Sequence, residues 1–356
     1  MAYPTGVLAS QQIEAMIAAG AIDAPPLAPD QVQPASLDLR LGSVAYRVRA
    51  SFLPGAGRGL TDRLSEFEMH RIDLTDGAVL EKGAVYLVPL QETLALPAGL
   101  SAVANAKSST GRLDLLTRTV TDGGTEFDRI APGYHGPLYA EICPRSFSVL
   151  VRPGMRLNQI RFRAGEAVLE DDALRDLHAH TPLVDGTAVI DDGLGFSVDL
   201  RPGAGNLVGW RAKPHSGVID LDRIGQYAPS DFWEAIRTDR QRIILDPGAF
   251  YILVSREAVT IPPAFAAEMA PYLAMVGEFR VHYAGFFDPG FGHGTPARGV
   301  LEVRCHEAPF VLEHGQVVGR LVYERMSEVP ETLYGQDIAS NYQGQGLKLS
   351  KHFAAD

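Results

Sequence analysis

The feature that most constrains the fold is that the chain repeats itself. "PASLDLRLGSVAYRVRA" in the first half returns as "GFSVDLRPGAGNLVGWRA" in the second, which puts Asp199 161 positions after Asp38. The same offset relates Glu141 in "YAEIC" to Glu302 in "VLEVRC", and Gly154 in "GMRLNQIRF" to Gly315 in "GQVVGRLVY". Between these anchors "KGAVYLVPLQETLALP" matches "PGAFYILVSREAVTIP", with Gly83 and Gly248 165 apart, an offset that short loop insertions explain. Repetition at this scale predicts two copies of one domain. A length of 356 residues, more than one hydrophobic core usually serves, agrees with that reading. The acidic stretch "LEDDALRDLHAHTPLVDGTAVIDDG" reads as the linker, so the expected boundary is near residue 185, with domains 1–185 and 186–356.

Runs such as "AVYLVPL", "FYILVS", "GVLEVRC" and "VVGRLVY" are rich in β-branched and aromatic residues and are broken by Gly and Pro. This predicts a mainly β chain, barrel or sandwich, with a few short helices. One helix is expected after Ser10 as N-cap, burying Ile13, Met16 and Ile17 and stopping at Gly20; another is expected after Ser230, with Phe232, Trp233 and Ile236 inward.

The net charge of -11 argues against a broad nucleic-acid or anionic-membrane surface, so any phosphate site must be local. The two cysteines, Cys143 and Cys305, show neither CxxC nor Cys/His ligand spacing, and no zinc deaminase signature of the H-x-E with P-C-x-x-C type is present. Neither a disulfide framework nor zinc is expected. The opening "MAYPTGVLAS" lacks the basic-then-apolar pattern of an export signal, and no apolar run is long enough to span a bilayer, so a cytoplasmic protein is expected.

Chemistry concentrates in two places. "AKSSTGRLDL" groups Lys107, Ser108, Ser109 and Arg112, and closely spaced hydroxyls with a guanidinium fork suit the oxygens of a polyphosphate. Alone, such a string reads as a serine-capped turn beside a solvated arginine. Far downstream, "HYAGFFDPGFG" precedes "GVLEVRC", where strand alternation sets Leu301, Val303 and Cys305 on one face and Glu302 with Arg304 on the other. A partly buried carboxylate at Glu302 could move protons in a hydrolysis; a lone strand glutamate is more often a surface group paired with its neighbour.

These residues carry a resemblance. The first half, through "QPASLDLRLG", "KSSTGR", "IAPGYHGPLYAE" and "GMRLNQIRF", resembles the deoxycytidine triphosphate deaminases, relatives of the deoxyuridine triphosphatases. The second half is similar through "YAGFFDPGF", "GVLE" and "YGQDIASNYQGQG". The resemblance implies two tandem dUTPase-like distorted β-barrels of the β-clip type and zinc-free hydrolytic deamination of dCTP at cytosine C4. It also implies Mg2+ arriving with the triphosphate, dUTP as product, dTTP as a candidate inhibitor, and a homo-oligomer as a candidate assembly. By the same carry-over, Ala284 reads the base edge, Asp288 meets the sugar hydroxyl, and Tyr334, Asn341 and Gln345 of a mobile tail fold over the triphosphate.

The halves depart from that pattern in complementary ways. The first keeps the phosphate motif but has Ala131 in "FDRIAPGY" where the aspartate belongs, and its "VTDGGTEF" loop is long. The second keeps Asp288 but reads "APYLAMVG" where serines and arginine are needed. One composite site is therefore expected, with Glu302 as its carboxylate and Glu141 as second choice. A deoxyuridine triphosphatase, an enzyme performing both reactions, and a non-catalytic nucleotide sensor are the alternatives.

Overall fold

The computed structural model describes residues 3–271, 279–281, 285–335 and 346–355. The chain divides into two compact units. The first comprises the residues up to Ala167 together with Gly217–Ile224 and Met326–Thr332; the second comprises Val168–Ser216, Gly225–Arg325 and Leu333 onward.

Both units carry one topology, which is how the sequence repeat is expressed. In the first, a sheet runs in the order Leu115–Thr121, His135–Pro144, Val85–Ala95, Val44–Val48, Glu68–Asp73; in the second, Phe279–Val281, Ala297–Cys305, Phe250–Val259, Leu207–Ala212, Trp233–Arg237 take the same places. A second sheet runs Arg129–Ile130, Leu100–Ala106, Arg156–Ala164, Ser36–Arg40 in the first unit. It recurs as Phe286–Phe287, Phe265–Pro271, Val317–Arg325, Leu194–Ser197. Both sheets are antiparallel, so each strand can turn apolar residues inward on alternate positions. In Ala297–Cys305 the inward set Leu301, Val303 and Cys305 is fully buried against Tyr251, Leu253 and Phe196.

The boundary expected near 185 falls instead at Ala167/Val168. The acidic stretch taken for a linker contains a helix, Asp171–His180, whose Leu174 is fully buried in the second unit's core. Its acidic residues serve the helix start: Asp171 accepts hydrogen bonds from the Asp192 and Gly193 amides, both at 2.9 Å, and these hold its carboxyl below the usual range. The division is also not a single cut. Ile219–Asp220 adds a parallel strand to the first unit's small sheet beside Val149–Val151, and Arg152 Nη1 grips Asp220 at 2.7 Å and Asp222 at 2.6 Å. Ser327 likewise donates its amide to the Val7 carbonyl at 2.8 Å. Severing the chain at 185 would strip both segments from the first unit.

Helix Ser10–Ala18 forms as expected with Ile13 and Met16 buried, but its N-cap is Ala9, whose amide is held by Gln12 Oε1 at 2.9 Å. Pro229–Phe232 is a single turn; Trp233 and Ile236 lie in the strand that follows, because Trp233–Arg237 pairs along its whole length with Leu207–Ala212.

The repeated aspartates are buried ion-pair anchors. Asp38 pairs with Lys107, and Arg156 stands 3.5 Å away. Asp199 receives Arg201 Nη2 at 2.7 Å and also Arg298 Nη1. Burial alone would raise the Asp199 carboxyl, but the Arg201 and Arg298 hydrogen bonds outweigh it and hold the group well below the usual range. The folded state then binds fewer protons than the unfolded one, so this stabilisation is complete above the unfolded value of 3.8 and fades as pH falls below it. Asp199→Asn is expected to cost about 2 kcal/mol at pH 7, and the gap to the parent protein should close in acid below that value, as read by urea unfolding across pH.

Candidate active site

In the first unit Lys107 ends the Leu100–Ala106 strand in extended geometry and caps a single helical turn, Ser108–Gly111, with Arg112 closing it. The turn is secured by the Lys107 carbonyl, which accepts the Thr110 and Gly111 amides, both at 2.9 Å. The amides that begin such a turn lie outside its own ladder and face whatever the turn presents. Asp38 takes the Lys107 ammonium, so this lysine acts first as the tether of the turn to the Ser36–Arg40 strand, two places away in the sheet. Ser108 is half-buried, while Ser109 and Arg112 are buried at 8% and 3% exposure. A guanidinium that deep requires acceptors around it, so Arg112 belongs to the built interior of the motif and not to a solvated rim.

Glu141 lies on an interior strand of this unit's six-stranded sheet, opposite Arg118 on one side and Leu87 on the other. Its side chain is 2% exposed, and Arg118 donates to Oε1 through both Nε (3.2 Å) and Nη2 (2.5 Å). Arg118 gave no signal in the sequence, since its partner is 23 residues away and is met only through strand pairing. The long "VTDGGTEF" loop closes over the pair. Gly55 donates to the Gly124 carbonyl at 3.0 Å, Leu60 to Asp122 Oδ1 at 2.7 Å, and the Arg118 guanidinium lies 3.6 Å from the centre of the Phe127 ring.

In the second unit Glu302 occupies the equivalent strand, paired with Ile252, and is 5% exposed; Arg304 is 7% exposed and donates to the Gly248 carbonyl at 2.6 Å. The face that alternation sets opposite the apolar layer is therefore itself buried, which is what a proton-transferring carboxylate needs and a surface glutamate lacks. Gly299, three positions before it, has no room for a side chain: a Cβ there would stand 2.5 Å from the Phe196 ring.

Asp288 is 7% exposed and begins a tight turn after Phe286–Phe287, its carbonyl accepting the Phe291 amide at 3.0 Å. Tyr334 joins this turn by donating its amide to the Pro289 carbonyl at 2.9 Å and packing its ring 5.7 Å from that of Phe291. Asp288 and Tyr334 thus belong to one local assembly in the second unit. Ala284, Asn341 and Gln345 lie outside the described residues. The tail expected to be mobile is anchored beyond them, with Phe353 buried against Tyr227, Phe232 and Trp233 and the Ala354 amide on the Tyr227 carbonyl at 2.8 Å.

Both cysteines are free thiols, and burial pushes that of Cys143 up. Among the described residues no three His, Cys, Asp or Glu side chains group so as to hold a metal ion, and no helix is long and apolar enough to cross a membrane. A groove of about 290 Å³ lined by Leu169, Leu177, Phe265 and Arg325 shares no residue with the candidate set.

Two family models match the chain: the 2'-deoxycytidine 5'-triphosphate deaminase N-terminal domain over residues 4–166 and the C-terminal domain over residues 170–353. A crystal structure of 2'-deoxycytidine 5'-triphosphate deaminase from Agrobacterium tumefaciens is 56% identical, with a TM-score of 0.88 over 91% of this chain and 99% of that one. Among curated relatives, a dCTP deaminase, dUMP-forming, of Coprothermobacter proteolyticus is 29% identical over 44% of this chain and 81% of its own length. A dCTP deaminase of Haloarcula marismortui is 31% identical over 37% of this chain and 66% of its own.

The turn supplies a test of its own geometry. Gly292 and Gly294 both have left-handed backbones, with φ of 67° and 79°, but a Cβ on Gly292 would stand 2.0 Å from the Val259 carbonyl oxygen whereas Gly294 faces open space. Gly294→Ala should cost about 1 to 2 kcal/mol from backbone conformation alone. Gly292→Ala should lose at least about 2 kcal/mol more by denaturant unfolding, because the turn itself must move.

Proposed function

The chain belongs to the dCTP deaminase family, and from that premise we propose that it hydrolyses the 4-amino group of dCTP, releasing dUTP and ammonia for pyrimidine deoxynucleotide synthesis without zinc. The observation that carries this reading is Glu302, a carboxylate 5% exposed on a central strand of the unit that also holds the Asp288 turn. Glu302 takes a proton from the attacking water as oxygen adds to C4 and delivers one to N3. Collapse of the tetrahedral adduct then expels ammonia, with a proton returned through the same carboxylate. Asp288 receives the sugar hydroxyl, and Ala284 reads the base edge through its backbone. Ser108, Ser109 and Arg112 bind the triphosphate that Mg2+ accompanies, Lys107 holding their turn against Asp38. Tyr334, Asn341 and Gln345 complete the triphosphate contacts.

The phosphate residues and the carboxylate come from different copies of the repeat. The units are read as dUTPase-like distorted barrels, an architecture that their shared topology supports. A second outcome, cleavage of dUTP onward to dUMP, is favoured by the dUMP-forming relatives. Chromatography of the dCTP reaction separates the two: dUTP with ammonia marks deamination alone, and dUMP with pyrophosphate marks both steps.

Turnover is expected to persist under a strong zinc chelator; activity lost and restored only by zinc would overturn the mechanism. Glu302→Gln should lower kcat by about 10²-fold or more with dCTP still bound, whereas Glu141→Gln should be far milder per folded molecule. The reverse ranking would move the chemistry to the first unit. Arg112→Lys keeps the charge but loses the fork, and should raise KM for dCTP by about tenfold or more.

A further inference from the structure

The first unit retains a buried carboxylate at the repeat position of Glu302, and the structure shows what meets it. Arg118 directs two nitrogens at the same oxygen of Glu141, while Oε2 of that carboxylate is buried with no hydrogen-bond partner among the described residues. The guanidinium is stacked beneath Phe127 and tethered on its outer side to Ser51 Oγ at 3.1 Å. A planar sp² group that offers N–H donors to a buried carboxylate under an aromatic ring is the chemistry by which an amino-bearing heterocycle would be held. Here the chain supplies that group itself.

We infer that the first unit contains a built recognition site for a planar N–H-donating cation, filled in cis by Arg118, and that this unit therefore provides no second catalytic centre. The assignment of only one working carboxylate per chain rests on the reading of Glu302 given above; the self-filled site does not. Three features of this unit agree with it. The covering loop is pinned by Gly55, Arg58 and Leu60, and its Asp122 amide donates to the Tyr134 hydroxyl at 3.2 Å, which itself donates to the Pro137 carbonyl at 2.6 Å. Burial pushes the Tyr134 phenol up to about 12, so it stays a donor through the physiological range. Where the family resemblance places the sugar-contacting aspartate, this unit has Ala131, so that contact is not on offer to a nucleotide here.

The full-length Arg118→Ala variant is the direct test. Removing the guanidinium should lower the melting temperature, and guanidinium chloride at low millimolar concentration should restore part of the loss saturably, while sodium and tetramethylammonium chlorides should not. Adding Glu141→Gln to that variant should abolish the rescue. Absence of rescue, or rescue that survives without the carboxylate, overturns the inference. Should Arg118→Ala fail to fold, a double-mutant cycle of Arg118→Gln with Glu141→Gln gives the same decision through denaturant unfolding. Coupling of about tenfold or more in the unfolding constant supports the pair as a unit, and additive effects overturn it. Finally, Glu302→Gln protein titrated with dCTP should bind one nucleotide per chain. Two would overturn the inference, whereas no binding would sink the deaminase reading and leave the guanidinium result standing.

Discussion

A carboxylate kept inside a β-sheet is the constraint on which the rest of this structure turns. Glu141 and Glu302 stand at matching positions of matching central strands, each almost fully withdrawn from water. Such a group is costly unless the surroundings answer it with donors or use it in chemistry. The first unit answers with Arg118, Phe127 and a pinned loop. In the second, Glu302 sits above a fully buried layer of Leu301, Val303 and Cys305, in the unit that holds the Asp288 turn. Duplication supplied two copies of one problem, and the copies solve it differently.

The buried aspartates show the same divergence on a structural scale. Asp38 spends its charge on Lys107, which fixes the start of the Ser108–Gly111 turn and so places the phosphate motif relative to the sheet. Asp199 spends its charge on Arg201 and Arg298, and thereby fixes the start of the strand that carries Glu302. One inherited carboxylate thus holds the Ser108–Gly111 turn in one unit and the start of the Ala297–Cys305 strand in the other. Neither role needs the aspartate to touch substrate, since each acts by holding a neighbouring element in register.

Much of this was legible in the sequence. The 161-residue offset foretold a duplicated topology because each sheet is built from the same alternating runs, and alternation set Glu302 on the face opposite Leu301 and Val303, although only the family resemblance of the neighbouring turn singled it out. Composition misled where polar residues do structural work. Asp171 and Asp172 look like linker residues, yet they open a helix, and past the Gly, Ser and Gln-rich stretch, which lies outside the described residues, Phe353 is locked among Tyr227, Phe232 and Trp233. Local pattern cannot report a contact whose partner lies more than a hundred residues away.

The sequence by itself determined the duplication, the strand-rich fold and the two motifs, because those properties live in short-range periodicity and in the chemistry of neighbouring residues. Only the tertiary structure decided which charges are spent. Lys107 meets Asp38 across 69 positions, and Arg118 meets Glu141 across 23, through strand register and not through sequence proximity. Only folding showed, too, that Ile219–Asp220 completes a sheet of the first unit. The physical reason is the same in each case. A residue type states what a group can bond to, but the partner it bonds to is fixed by the pairing of strands that the chain brings together from afar.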